Sequence, residues 1–332
     1  MTLDTPAVRT FTNPLLDYGP DPSALYHEGW YYYLHSTNRN VTLRRTRDLA
    51  DLRHAEQRVL WKAPRRGENA RSIWSPELHC FAGGWYVYFS ADDDRGQNNQ
   101  RMWVLECPDA DPFGGNWTLK DRLKTPGDRW AIDGTAFEHR GRLYFAWSGW
   151  AGARNTRQNL YLCRMANPWT CTGKRVIIAR PTLPWERHNY DPDAGNPRNH
   201  IYVVEGPALL PRGDRLFMTY SASGCWTDEY CIGLLTLVGD DPMAPDAWVK
   251  HPEPLFQTSA ENGVYGPGHN CFVRDADGAD WLLYHANPGP NRGCENDRTP
   301  RLQPVHWQPD GQPFLGTPVS AGQPLPRPAV AQ

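Results

Sequence analysis

The chain has 332 residues and a formal net charge of −2. Its basic residues are scattered and no run is apolar enough to cross a membrane, which argues against nucleic-acid and membrane partners. Fifteen Trp and fifteen Tyr supply large flat faces with polar tips, suited to filling a β core and to stacking on sugar rings.

Helical periodicity is missing along the chain. Short aromatic and β-branched segments alternate with turn residues, which predicts an all-β protein. Five hairpin units follow in order: "DPSALYHEGWYYYLHST" (21–37), "PELHCFAGGWYVYFSAD" (76–92), "DGTAFEHRGRLYFAWSG" (133–149), "EGPALLPRGDRLFMTYSAS" (205–223) and "GHNCFVRDADGADWLLYHAN" (268–287). Each is followed by material for a further strand pair. A repeat of this kind predicts a five-bladed β-propeller of four-stranded blades, one domain over 1–332. The tail, with an Asp-Gly turn at 310–311, is expected to complete the last blade, with the N-terminal strand helping to close the ring.

The first leg of each unit opens on a polar residue: Asp21, Pro76-Glu77, Asp133, Glu205 and Gly268-His269. In a propeller these innermost strands surround one axis, so the repeat predicts four carboxylates and an imidazole around one mouth. Glu205 stands in "IYVVEGPALL" (201–210), between apolar runs that disfavour its charged form. Asp21, among Gly, Pro and Ser, is expected to be better solvated and ionised. Such a pair suits glycoside hydrolysis, in which one carboxyl gives a proton to the leaving oxygen and the other activates water. Asp133 is expected to hold Glu205 and to raise its proton affinity by like-charge repulsion.

These blocks resemble the signatures of glycoside hydrolase family 43. "DPSALY" with Asp21, "AIDGTAF" with Asp133, "VEGPAL" with Glu205, "WSPELH" (74–79) and "GPGHN" (266–270) match in order. The resemblance implies a five-bladed propeller and an inverting hydrolase needing no cofactor for its chemistry. It implies Asp21 as general base, Glu205 as general acid and Asp133 as the residue orienting the acid. Inversion implies roughly 6.5–9.5 Å between the base and acid carboxyls. "DRTPRLQ" (297–303) resembles the family's late arginine block, and its spacing selects Arg298 over Arg301. Trp74, Ile132 and Phe137 are candidate pocket walls, and Glu77 is a supporting acid. His269 has three readings: a water-mediated contact to a structural Ca²⁺ or Na⁺ in the channel, a partner for the carboxylates, or a satisfied core histidine.

Family members act mainly on α-L-arabinofuranosides and β-D-xylosides. The wording of "GCWTDEYCIGLLT" and "RLQPVHWQPDGQPFLG", with no β-sandwich after the propeller, points to an exo-acting α-L-arabinofuranosidase on arabinose-containing oligo- or polysaccharides. A β-xylosidase or endo-arabinanase on the same machinery, and a glycan-binding lectin, are the rivals. The insert at 181–200 is expected to overhang the mouth through Trp185, His188 and Tyr190. A monomer is expected. With no leader stretch at its start, the chain is expected to be cytoplasmic if Met1 is native and a secreted mature form otherwise. The eight cysteines include two pairs spaced for hairpin bridges, Cys225–Cys231 and Cys163–Cys171, with free thiols as the alternative.

Overall fold

The computed structural model describes residues 9–188, 201–294 and 297–330. Strand β1 (Thr10–Thr12) leads into four four-stranded sheets. The first is β2 (Ser23–His27), β3 (Trp30–Leu34), β4 (Asn40–Thr46) and β5 (Glu56–Lys62). The second is β6 (Arg71–Phe81), β7 (Gly84–Asp92), β8 (Arg101–Cys107) and β9 (Thr118–Leu123). The third is β10 (Ala131–His139), β11 (Arg142–Trp150), β12 (Gln158–Asn167) and β13 (Thr170–Ala179). The fourth is β14 (Val204–Arg212), β15 (Arg215–Ala222), β16 (Cys231–Leu237) and β17 (Trp248–Lys250). The fifth sheet has three strands, β18 (Tyr265–Arg274), β19 (Asp280–Asn287) and β20 (Thr299–Pro304). All pairings are antiparallel meanders, and the five sheets are the blades of a propeller.

The tail departs from expectation. Strands β21 (His306–Trp307) and β22 (Pro313–Phe314) form a separate ribbon, and β23 (Pro324–Pro326) pairs with β1. The fifth blade therefore stays three-stranded. The two chain ends pair with each other, and the segment after β1 closes the ring as expected by bonding the edge strand β20: Leu15 N donates to the carbonyl of Pro300 at 2.9 Å, and the Asn13 side chain bonds both the amide and the carbonyl of Leu302 at 2.8 and 2.9 Å.

The second strand of each blade explains the aromatic content. Residues of β7, β11, β15 and β19 are buried along nearly their whole length, because neighbouring blades cover both faces. A strand buried on both faces reads as a continuous apolar run instead of an alternating one. Each seam between blades has its own core. Tyr32, Trp85 and Phe89 fill the first-to-second seam, and Tyr88, Phe145 and Trp147 the second-to-third.

Phe137 belongs to such a seam and corrects its expected place in the pocket. It stacks on Tyr144, with centroids 5.4 Å apart, and packs with Leu216 and Met218 between blades three and four. Beyond the bulge described below, the strand turns this side chain away from the mouth. Phe137→Ala is expected to cost about 3–5 kcal/mol of stability by leaving a cavity. Denaturant unfolding alongside kinetics checks this, with KM expected to stay unchanged.

The cysteines differ from both hairpin pairings. Cys225 bridges to Cys294, 69 residues on, with Cα atoms 5.3 Å apart. Cys231 opens β16 and remains a thiol in the seam between blades three and four, against the carbonyl of Ala222. Cys163 and Cys171 remain thiols, hydrogen-bonded to each other.

Candidate active site

The innermost strands share one irregularity. Trp74 pairs with Ser90 and Glu77 with Tyr88, so the first strand uses one extra residue. The same slip recurs between Ile132 and Thr135, Glu205 and Ala208, and Gly268 and Cys271. These are β-bulges, and each contains one residue in the left-handed region: Ser75 (φ 48°), Asp133 (54°), Gly206 (55°) and His269 (43°). Asp21, at φ 52° just before β2, completes the series. Asp and His are among the side chains that best tolerate this conformation, and glycine accepts it freely.

The bulges correct the predicted alignment of the repeat. The five equivalent positions are Asp21, Ser75, Asp133, Gly206 and His269. Glu205 precedes its bulge by one residue, and Glu77 follows its bulge by two. The axis thus presents two carboxylates, a hydroxyl, a bare backbone and an imidazole, with Glu205 entering from beside its glycine.

Asp21 is 8% exposed, so solvation does not keep it charged. Burial pushes its proton affinity up, but Arg298, then His269, and a hydrogen bond from Ser36 outweigh burial. The carboxyl is held below the usual carboxylate range. Arg298 Nη1 donates to Oδ1 at 2.9 Å and Ser36 Oγ to Oδ2 at 2.5 Å. Arg301, the alternative arginine, is buried inside blade five and reaches the carbonyl of Val319.

Asp133 is held from two neighbouring blades. Ser75 Oγ donates to Oδ1 at 2.7 Å, and the amide of Gly206 to Oδ2 at 3.3 Å. Burial raises its proton affinity; His269 opposes this and the charge of Asp21 adds to it. Glu205 is partly reached by solvent in the mouth. Burial of its carboxyl, followed by the charge of Asp133, pushes its pKa up to about 8.

His269 Nδ1 lies 3.4 Å from Asp21 Oδ1 and 3.9 Å from Asp133 Oδ2. Burial lowers its proton affinity, and the surrounding carboxylates, Asp21 first, more than reverse this. The geometry matches its reading as a carboxylate partner. Among the described residues no group of three or more His, Cys, Asp or Glu side chains is arranged to hold a metal. A hard cation takes oxygen ligands, so an ion beside His269 would be held through water.

The arrangement offers two carboxyl groups in opposite states near neutral pH: Asp21 ionised, Glu205 retaining its proton. One can accept a proton while the other gives one. A model of the glycosyl hydrolases family 43 matches residues 11–313. The chain belongs to family 43.

Its relatives include an extracellular exo-α-(1→5)-L-arabinofuranosidase of Streptomyces avermitilis, 37% identical, the match covering 97% of this chain and 68% of that protein. An enzyme of the same description from Streptomyces chartreusis is 39% identical over 85% of this chain and 84% of its own. Among solved structures, an α-L-arabinofuranosidase from Lactobacillus brevis superposes with a TM-score of 0.86 at 34% identity, covering 94% of this chain and 98% of that one.

Around the carboxylates of this family 43 glycosidase, Ile132 packs with Trp130 and Trp150, stacked 4.9 Å apart, and Trp74 leans on the group. Trp74 stays partly exposed and donates to Asn38 Oδ1 at 2.8 Å. Glu77 is engaged by His79, 3.0 Å away. Trp185 lies flat against Tyr220 and donates to the carbonyl of Pro252, so its ring is committed to blade four. His188 is exposed and holds the loop after β15 through its backbone. Tyr190 lies outside the described residues.

Several residues of the family 43 site escaped the sequence reading. Ser90, Ser148 and Ser221 pair with the residue before the bulge of their blades, His285 takes that place in blade five, and Ser36 stands at the matching point of blade one. Four of these side chains latch the next blade, Ser148 by donating to the carbonyl of Val204 at 3.0 Å. Ser36 Oγ accepts from the amide of Ser75 at 2.7 Å, Ser221 Oγ from that of His269 at 2.7 Å, and His285 Nδ1 from that of Asp21 at 3.0 Å. The hydrogen of His285 therefore sits on Nε2, an assignment from the hydrogen-bond network. The repeated serine in "LHSTN", "YFSAD", "AWSGW" and "TYSAS" was the available signal.

Two loops at the mouth are tied together. The Cys225–Cys294 bridge joins the segment before β16 to the segment before β20. Asp228 adds to it by accepting from the amide of Asn291 at 2.9 and 3.1 Å.

Proposed function

We propose that the protein is an inverting exo-α-L-arabinofuranosidase that releases terminal arabinofuranosyl residues from arabinan- or arabinoxylan-type chains. The observation that carries the mechanism is the meeting of two differently held carboxyl groups at one mouth: Asp21 bonded by Arg298 and Ser36, and Glu205 bonded by Tyr230 beside Asp133. Asp21 is the general base: it takes a proton from a water that attacks the anomeric carbon. Glu205 is the general acid: it gives its proton to the glycosidic oxygen as the bond from the anomeric carbon breaks. Asp133 is the positioning residue, whose charge keeps the proton on Glu205 until the leaving oxygen needs it.

The pairing is chemically consistent. A base with low proton affinity is ionised across the working range. It suffices where the transition state has oxocarbenium character and water attacks late. Trp74, Ile132 and Arg298 are the substrate-contacting residues in this reading. The arabinose preference is supported by the names of the relatives. An oxidising compartment fits both the Cys225–Cys294 bridge and relatives described as extracellular.

The test is hydrolysis of para-nitrophenyl α-L-arabinofuranoside beside the β-D-xyloside, then of linear arabino-oligosaccharides with product analysis. Arabinose as the sole product supports the reading. Xylose release, or short oligosaccharides in place of monomer, assigns the same machinery to a rival specificity. The pH profile provides a second check. Activity needs Glu205 protonated and Asp21 ionised. The alkaline limb of kcat/KM is thus expected near pH 8 and the acid limb below the usual carboxylate range. An alkaline limb near pH 5 would contradict the assignment of Glu205.

A further inference from the structure

The segment before β16 brings Tyr230 against Glu205, and its phenol donates to Glu205 Oε1 at 2.8 Å. The ring is 1% exposed and lies parallel to the His285 imidazole, planes 5° apart and centroids 5.8 Å apart. Gly268 makes room for it. A Cβ at that position would stand 2.2 Å from Tyr230 Cε1, inside any allowed contact. Two blades thus shape a slot in which this ring has one place.

The hydrogen bonds behind the phenol have a direction. The His269 amide donates to Ser221 Oγ at 2.7 Å, and the Ser221 hydroxyl bonds to the Tyr230 oxygen. A backbone N–H can only donate. Ser221 accepts on that side and spends its own hydrogen on Tyr230. Tyr230 then spends its hydrogen on Glu205. The chain runs from His269 through Ser221 and Tyr230 to one oxygen of the carboxyl, and each bond polarises the next.

We propose that Tyr230 is a positioning residue for the proton donor: by donating to Glu205 Oε1 it makes that oxygen the carbonyl-like one and keeps the transferable proton on Oε2. This rests on the reading of Glu205 as the acid. As the proton passes from Oε2 to the glycosidic oxygen, the electron pair of the O–H bond stays on the carboxyl. The bond from Tyr230 then becomes charge-assisted and strengthens where it lowers the barrier. Burial, with the Glu205 charge adding to it, raises the tyrosine's own proton affinity well above the ordinary phenol range, so it remains a donor throughout.

Tyr230→Phe keeps the ring and removes the donor. Two substrates test it: an arabino-oligosaccharide, whose leaving group needs the proton, and an aryl arabinofuranoside, whose leaving group does not. The variant is expected to lose about tenfold in kcat on the oligosaccharide and little on the aryl glycoside. Its alkaline limb is expected to move to higher pH, because the lost bond favoured the charged form of Glu205. Equal losses on both substrates, or an unmoved limb, overturn the proposal. Ser221→Ala is expected to shift the limb the same way by less, and it decides the matter if the phenylalanine variant does not fold. Glu205→Gln separates the two readings. If it still turns over the oligosaccharide, the acid assignment is wrong. If it is inactive there and Tyr230→Phe matches the parent enzyme, only the role of Tyr230 is wrong.

Discussion

Glu205→Gln is expected to lower kcat on arabino-oligosaccharides by about 10²- to 10⁴-fold, the range supplied by a positioned acid. Activity on an aryl arabinofuranoside with a good leaving group is expected to fall far less, because that bond breaks without protonation. The same substitution is expected to stabilise the protein above neutral pH. Glu205 has its folded-state pKa raised to about 8 by burial and by Asp133. Its ionisation in the unfolded chain, from about pH 4.5 upward, therefore pulls against folding, increasingly up to about pH 8. A neutral amide removes that pull and still accepts from Tyr230. A rise in Tm of about 2–4 °C or more at pH 8, shrinking to nothing near pH 4, is the expected pattern. Thermal melts across pH beside the two-substrate assay measure both effects. A variant with parental activity on the oligosaccharide would remove Glu205 from the role.

Asp21→Asn is expected to be the more severe change, with losses of about 10³-fold or more on both substrates. Water must still be activated, however good the leaving group. The contrast with Glu205→Gln is the diagnostic feature: one variant discriminates between leaving groups and the other does not. Stability is expected to respond with the opposite sign. Asp21 is held ionised by Arg298, His269 and Ser36 against the cost of burial. Its depressed folded-state value contributes stability that is present above about pH 4 and is lost as pH falls through that value. The asparagine variant is therefore expected to melt lower than the parent at neutral pH, with the gap closing in acid. If Asp21→Asn discriminated between the substrates as an acid variant does, the two roles would have to be exchanged.

The legible part of the molecule is the part the repeat encodes. Five hairpin units disclosed the blades because strands buried on both faces must be aromatic and apolar throughout. Asp21, Asp133 and Glu205 stood out because each opens a repeat unit, and Glu205 also because a carboxyl amid apolar neighbours is costly. The bulge was hidden: a one-residue slip leaves no mark in composition, so Glu77 and Glu205 looked equivalent to Asp21 when Ser75 and Gly206 hold those places. Phe137 was misplaced for the same reason, since past the slip each side chain turns to the other face. Asp21 was ionised for a reason not visible locally. Its flanking Gly, Pro and Ser suggested water, but its charge is kept by residues up to 277 positions away. Tyr230 was beyond reach too, because nothing near "DEYC" points to Glu205 until blade five supplies Gly268 and His285.

The tie between the two mouth loops has a consequence for spacing. One loop ends in Tyr230, which touches Glu205, and the other ends in Arg298, which touches Asp21. Cys225–Cys294 and the Asp228 contacts join them on the rim. An inverting enzyme needs a gap between its carboxyl groups that admits one water and stays constant through the cycle. In this molecule the two sides of that gap are coupled by a strut that never enters it. In the proposed roles, the strut sets acid and base apart from outside and leaves the interior to sugar and water.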